Sequence, residues 1–252
     1  MSNLYWLPEA QMQRLRPFFP KSRGRARVDD RRVLSGIIFI NRNGLRWRDP
    51  PAAYGPHKTL YNRWKRWSDK GVFARIMMGL AEQAPDNKII SIDATYLKAH
   101  RTASSLRLKK GGKGRLIVLT KGGMNTKLHA ITDTSARPIR LFITAGQISD
   151  YIGARALVSN LPKMEWLLGD RGYDADWFRE PLVDKGAKPC IPGRKSRKKT
   201  VKYDKRRYKR RNRIERMFGR LKDWRRVATR YDRSPTVFLS AIALAATVIC
   251  WL

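Results

Sequence analysis

The sequence predicts an α/β fold, a mixed sheet with helices on its faces, preceded by an all-helical segment. Two observations carry this. Up to about Pro85 apolar residues recur at helical spacing, and beyond it they gather in short strand-like runs. Three such runs come first and then helix and strand alternate, the order of a sheet with helices packed against it. The boundary divides the chain into residues 1–85 and 86–252.

In the first part, Pro8 to Phe19 reads as a short helix. Asp29 or Asp30 caps a second, which carries Val33, Leu34, Ile37, Ile38 and Ile40 inward and closes at Asn43-Gly44. After the turn-rich WRDPPAAYGP a third runs from about Lys58 to Lys70, with Leu60, Trp64 and Trp67 on one face. Its opposite face presents Asn62, Arg63, Lys65 and Arg66, with Tyr61 at the margin. Three short helices, the last basic outside and aromatic inside, suit a helix-turn-helix reader, whose second helix enters the major groove while cations grip phosphates. A small bundle whose charged face meets water has the same pattern.

In the second part, the strands are Lys88 to Asp93 (KIISID), Lys127 to Asp133 (KLHAITD) and Ile139 to Thr144 (IRLFIT). Ser149-Asp150 caps a helix reaching about Asn160. Glu165 to Gly169 reads as a strand, Asp174 or Asp176 caps another helix, and Lys188 to Ile191 is a short last strand. Asp204 caps a helix from about Lys205 to Arg226. The basic stretches His100 to Lys127, containing KKGGKGR, and Gly193 to Lys205, containing RKSRKK, read as loops. The final apolar stretch, Val237 to Leu252, opens after Pro235 and falls short of the roughly 20 residues that span a bilayer, so it is expected to be a buried closing helix and not an anchor.

Composition narrows the partners. With 42% hydrophobic residues and eight Trp in 252, the chain can build a core. Its 55 Lys and Arg against 20 Asp and Glu give a formal charge of +35, which calls for a polyanion, and nucleic acid leads. The cations are spread along the chain and do not form one polybasic tail, which ranks a membrane well below DNA. Only Cys190 and Cys250 are present, too few for a disulfide framework or a cysteine-rich zinc site, and they fit a reducing cytoplasm.

Asp93 ends an apolar run, IISID, and Asp170 ends another, WLLGD. Ligands of α/β sheets gather beyond the carboxyl ends of strands, so the two can share a crevice. In the helix after Lys205, Tyr208, Arg211, Glu215 and Lys222 project within about 60° of one another at 100° per residue. Beside that stripe, Ile214, Phe218 and Leu221 would pack the helix on the sheet and leave Glu215 at the boundary. Taken singly, the two Asp are equally good turn residues and Glu215 an ordinary partner for Arg211. Together, three converging carboxylates need cations, and hard oxygen donors suit Mg²⁺ or Mn²⁺. Two such ions can activate an attacking oxygen and stabilise a leaving one in phosphodiester displacement.

The spacing Y-x2-R-x3-E-x6-K from Tyr208 to Lys222 resembles the signature of the bacterial insertion-sequence DDE transposases. SIDATYLKAHR around Asp93, GGMNTKLHAITD, LLGDRGYDAD around Asp170, RNRIERMFGRLKDWRRVATRYDR around Glu215 and WRDPPAAYGPHKTLYNRWKRWSDKG all resemble the insertion-sequence-five group. The resemblance implies a ribonuclease-H-like catalytic domain after a helical DNA-binding domain. It implies Asp93, Asp170 and Glu215 as a metal-binding triad, with Tyr208, Arg211 and Lys222 holding the phosphates of the transposon ends. The expected protein cuts and joins double-stranded DNA, ends and target alike, as a homodimer on the bacterial nucleoid. A metal-dependent nuclease that does not join, and a domesticated DNA-binding protein, are the rivals.

Overall fold

A computed structural model describes residues 4–21, 28–104, 114–150, 152–153, 161–197 and 199–252. The first half is helical, as expected. Helix α1 (Glu9–Leu15) runs on as a 3-10 turn, Arg16–Phe18. Helix α2 (Asp30–Asn43) starts at Asp29, whose carboxylate accepts from the Arg31 N–H, and stops at Gly44, whose φ of 72° suits a residue without Cβ. Helix α3 (His57–Asp69) buries Leu60, Trp64 and Trp67 as its spacing predicts. The connection between α2 and α3 runs from Gly44 to Pro56, where a compact helix-turn-helix uses about three or four residues.

A fourth helix, α4 (Val72–Gln83), was not anticipated. Its start carries no side-chain cap, and Gly71 reads as the end of α3. Its apolar face, Val72, Phe73, Ile76, Met77, Leu80 and Ala81, is nonetheless fully helical in spacing and buried. Gly79 lets this helix close on the Arg16–Phe18 turn, since a Cβ there would stand 2.4 Å from the Phe18 ring.

The sheet contains β1 (Ile89–Ala99), β2 (Val118–Thr120), β3 (Gly123–Thr132), β4 (Pro138–Ala145), β5 (Trp166–Leu168), β6 (Lys188–Cys190) and β7 (Thr229–Arg230). Strand β3 pairs antiparallel with β1 on one edge, and with β4 and β2 in succession on the other. Beyond β1 come β5 and then β6, both parallel. Three sequence expectations are corrected here. Strand β1 does not end at Asp93 but continues through ATYLKA, because Asp93 to Lys98 pair with Ala130 to Asn125 of β3. Strand β2 and the start of β3 form a hairpin inside the stretch read as a loop. The helix after Asp174 is α5 (Asp176–Asp184), preceded by Ala175 with no side-chain cap. Asp174 instead binds Arg179 and the Arg194 N–H.

The expected helix from Lys205 to Arg226 is broken into one turn at Lys205–Tyr208, a 3-10 turn at Lys209–Arg211, α6 (Asn212–Lys222) and one turn at Arg225–Ala228. Asp204 does cap its start, through the Arg207 N–H. Of the helix expected from Ser149, Ile152 and Gly153 are helical, and residues 154–160 lie outside the described residues, as does most of KKGGKGR.

Along the second edge of β1, β5 takes Ile89–Ser91 and β7 takes Lys98–Ala99. Among the described strands none pairs with Ile92–Leu97 there, and this gap holds Asp93. One apolar core reaches across residue 85. It joins Leu34, Trp64 and Leu80 to Leu97 and Leu128 of the sheet, to Ile214 and Phe218 of α6, and to Phe238 and Leu244 of the closing helix α7 (Pro235–Cys250). Ser234 caps α7, and Pro235 opens it. Among the described residues no helix is long and apolar enough to cross a membrane. A second cluster, with Ile90, Ile92, Leu167, Tyr173 and Phe178, covers the other face of the sheet.

Candidate active site

Strand alternation puts Asp93, Thr95 and Leu97 on one face of β1, opposite Ala130, Leu128 and Thr126 of β3. That is the face on which α6 packs, so Asp93 is only 9% exposed. One of its oxygens accepts from the Ala94 N–H at 2.8 Å, and the other accepts from Arg211 Nη1 at 2.8 Å. Burial pushes the Asp93 carboxyl up to about 6; Ala94 and Arg211 oppose this, while Asp170 and Glu215 add to it.

Asp170 follows β5 after Gly169 and caps the 3-10 turn Arg171–Tyr173 by accepting from the Gly172 N–H at 2.8 Å. Glu215 sits in the first turn of α6, its side chain 49% exposed, and accepts from the second nitrogen of Arg211. Arg211 therefore stands between Asp93 and Glu215. Two turns later Lys222 donates to Thr95 Oγ1 at 2.7 Å, and the Arg211 guanidinium lies 5.8 Å from the Tyr208 ring. The stripe foreseen from the sequence thus meets β1 at its unpaired edge, with Ile214, Phe218 and Leu221 buried behind it.

The basic face foreseen on α3 is divided. Arg63 turns inward, 12% exposed at its side chain, with Nη1 2.9 Å from Asp30 and its guanidinium 5.7 Å from the Trp67 ring. Lys65 pairs with Asp69 one turn on, while Asn62 and Arg66 are exposed. All four ride on α3, which packs against α2, α4 and α7. The carboxylate centre draws its cations from Arg211 and Lys222.

The sequence reading missed a cluster on the other side of β1. Lys127 of β3, 5% exposed, lies across from Tyr96 and 4.8 Å from its ring. Its ammonium donates to the Ile148 carbonyl at 2.8 Å and lies 3.0 Å from Asp150. Asp150 in turn lies near Asp170: a Cβ placed on Gly172 would be 2.8 Å from an Asp170 oxygen and 3.6 Å from an Asp150 oxygen. The signal available was a lysine in the middle of an otherwise buried strand; the reading of Asp150 as part of a helix cap concealed its place.

His129, on the same face as Lys127, stacks on Phe142 at 4.4 Å and pairs with Thr144 Oγ1 at 2.9 Å. Burial pushes it down to about 4, with Lys127 assisting and Asp150 opposing. The neutral ring is the form the fold prefers, so the stability it contributes is full above pH 6.5 and is lost as pH falls through about 4. Between pH 7 and 4 the wild type should lose roughly 3 kcal/mol more stability than His129→Gln. Urea melts at the two pH values measure this, and parallel losses in both proteins would refute it.

Comparison with known proteins places these features in a family. Residues 7–77 match the family described as "Putative transposase of IS4/5 family", and residues 84–251 match the family described as "Transposase DDE domain". The chain is 35% identical over 130 residues to the "Putative transposase for insertion sequence element IS6501" of Brucella ovis, a stretch covering 51% of this chain and 99% of that one. It is 34% identical over 110 residues to the uncharacterized protein y4sN of Sinorhizobium fredii, covering 42% and 87% respectively. Its fold is similar to that of the piggyBac transposase in a synaptic complex with hairpin DNA, with a TM-score of 0.52 at 8% identity over 97% of this chain and 72% of that one. The mixed sheet with its flanking helices is accordingly ribonuclease-H-like. A DDE domain spanning two thirds of the chain, with a matched helical segment before it, makes this protein a member of the DDE transposase family of insertion sequences, enzymes that act on DNA and depend on divalent metal.

Proposed function

We propose that the protein binds the terminal inverted repeats of its own element, nicks them with water, and joins the freed 3′-hydroxyl to target DNA, with Asp93, Asp170 and Glu215 as the triad. The observation that supports this is that Arg211 joins Asp93 of β1 to Glu215 of α6 beside the unpaired edge of β1, with Asp170 near enough to raise the Asp93 carboxyl. The donor set suits Mg²⁺ or Mn²⁺: all three are hard carboxylates, and Asp93 is raised partly by the negative charge of the other two. Among the described residues no three acidic, His or Cys side chains already stand around one point, and Arg211 lies between Asp93 and Glu215. Asp93 with Asp170, and Asp93 with Glu215, would hold two ions, which supply an activated nucleophile and charge for the leaving oxygen.

The chain's own residues do the rest. Arg211 and Lys222 flank the carboxylates and would take phosphate oxygens of the DNA end, with Tyr208 beside Arg211. Asn62, Lys65 and Arg66 would meet DNA farther along through residues 1–85 as a helix-turn-helix-like domain, and Arg63 would orient that helix through Asp30. Two chains on two ends form the working dimer, in the cytoplasm on the nucleoid.

A supercoiled plasmid carrying the gene with its native flanks tests the reading. Nicking at the element's ends in Mg²⁺ or Mn²⁺, abolished by EDTA, is expected, followed by joining of pre-cut ends to a second plasmid. Nicking without joining would favour a plain nuclease, and neither activity would leave a DNA-binding protein. Binding should weaken steeply with salt as released counterions are restored, and a flat salt dependence would contradict the proposed use of the basic surface.

A further inference from the structure

Helix α6 carries a second row of cations that the carboxylate site does not use. At 100° per residue, Arg213, Arg216 and Arg220 project within about 60° of one another, turned away from Glu215 and Lys222. All three are exposed, and with Ser135, Arg137 and Ile249 they line a cleft of about 380 Å³ between α6, the turn before β4 and the end of α7. Arg137 is neutralised by Asp133 at 2.7 Å and packs on the Trp251 ring. Among the described residues no carboxylate pairs with the other three. Arg213 and Arg220 each donate through one nitrogen to a carbonyl, of Thr134 at 2.9 Å and of Ile249 at 3.0 Å, which fixes both guanidiniums and leaves their other donors for the cleft. Arg216 stands three residues from one and four from the other, spacings at which like charges repel on a helix. Such a set calls for an anion, and planar guanidiniums suit phosphate.

Gly219 points to where that phosphate comes from. It projects between this row and the stripe of Glu215 and Lys222, on the solvent side of α6. A Cβ there would meet nothing within 4 Å, so no contact among the described residues requires a glycine. An exposed glycine inside a helix weakens it relative to alanine, and what it offers in exchange is close approach by a backbone from outside. With its side chains α6 is about 10–12 Å across, and a DNA strand advances about 3.4 Å per nucleotide, so a strand crosses that width in about three or four nucleotides.

We propose that the strand cut at the carboxylates passes over α6 at Gly219 and seats phosphates about three or four nucleotides from the cut on Arg213, Arg216 and Arg220. This rests on the cleavage reading above and gives that strand a second hold on the far side of the same helix.

The test uses the full chain in EDTA with a labelled duplex spanning one end of the element, so that binding is read without cleavage. Replacing the three arginines together by Gln should weaken binding at least about tenfold and lower the slope of log affinity against log salt by about 3. Arg216→Gln alone, which breaks no bond within the protein, should lower the slope by about 1. Gly219→Leu should weaken binding about threefold to tenfold while the melting temperature holds or rises. A methylphosphonate about three or four nucleotides from the mapped nick should weaken binding by the wild type and make no further difference to the triple variant. Unchanged slopes, full binding by Gly219→Leu, or a methylphosphonate that weakens both proteins alike would each overturn the inference. Wild-type protein that binds the duplex but never nicks the plasmid would instead sink the cleavage reading, and the strand path with it.

Discussion

Asp93→Asn should reduce metal-dependent DNA cleavage by at least about a thousandfold and, in EDTA at pH 7, make the protein more stable. The first effect follows from removing the carboxylate shared by both proposed ions. The second follows from the sign of the shift at Asp93. Its folded value of about 6 lies above the ordinary 3.8, so the fold prefers the protonated form. The stability this contributes is complete below pH 3.8 and is lost as pH rises through about 6. At pH 7 the ionised group costs on the order of 2–3 kcal/mol, even with Arg211 beside it. Asn keeps the shape and can still accept from Arg211, without the charge. The stability gap between variant and wild type should close below pH 4. Thermal melts at both pH values, alongside the plasmid assay, measure the two effects. Retained cleavage would remove Asp93 from the triad; a variant less stable at pH 7 would show that the Arg211 ion pair outweighs burial.

Phe238→Ala should cost about 3–5 kcal/mol, a large part of the 5–15 kcal/mol that holds a typical domain together. Phe238 is fully buried in α7 and covers the guanidinium of Arg230, 5.1 Å from its ring. Arg230 is itself fully buried, held by Thr126 Oγ1 at 2.7 Å and by the carbonyls of Asp232 and Arg233. The loss should register equally in both halves of the chain. Fluorescence of a variant that keeps only Trp64 and Trp67 of its eight Trp, and far-ultraviolet circular dichroism, should shift together to lower urea in one transition. Separate transitions would mean that residues 1–85 fold independently of α7.

Much of the site was legible because its chemistry lies on regular elements. The stripe from Tyr208 to Lys222 survives the 3-10 break at Lys209–Arg211, since its members remain on the side of the helix turned to β1. Asp170 was legible because a strand ends at Leu168. Asp93 was singled out as a strand end, which it is not. The apolar run IISID stops at Asp93, whereas pairing with β3 continues the strand through ATYLKA. Helix α4 was hidden by its uncapped start behind Gly71. Asp150 and Lys127 were out of reach for another reason. Their meaning lies in contacts between β3, the turn before Ile152 and the loop after β5, which no local spacing encodes.

The core that crosses residue 85 bears on how such chains can be recombined. The faces of Trp64 and Leu80 are matched to α7, which arrives from the far end of the sequence and also packs on β4 and α6. Grafting a relative's residues 1–85 onto this sheet would set foreign side chains against Phe238 and Leu244. A graft that keeps this core packed must bring compensating residues in α7, so residues 1–85 and α7 are exchanged as a matched pair.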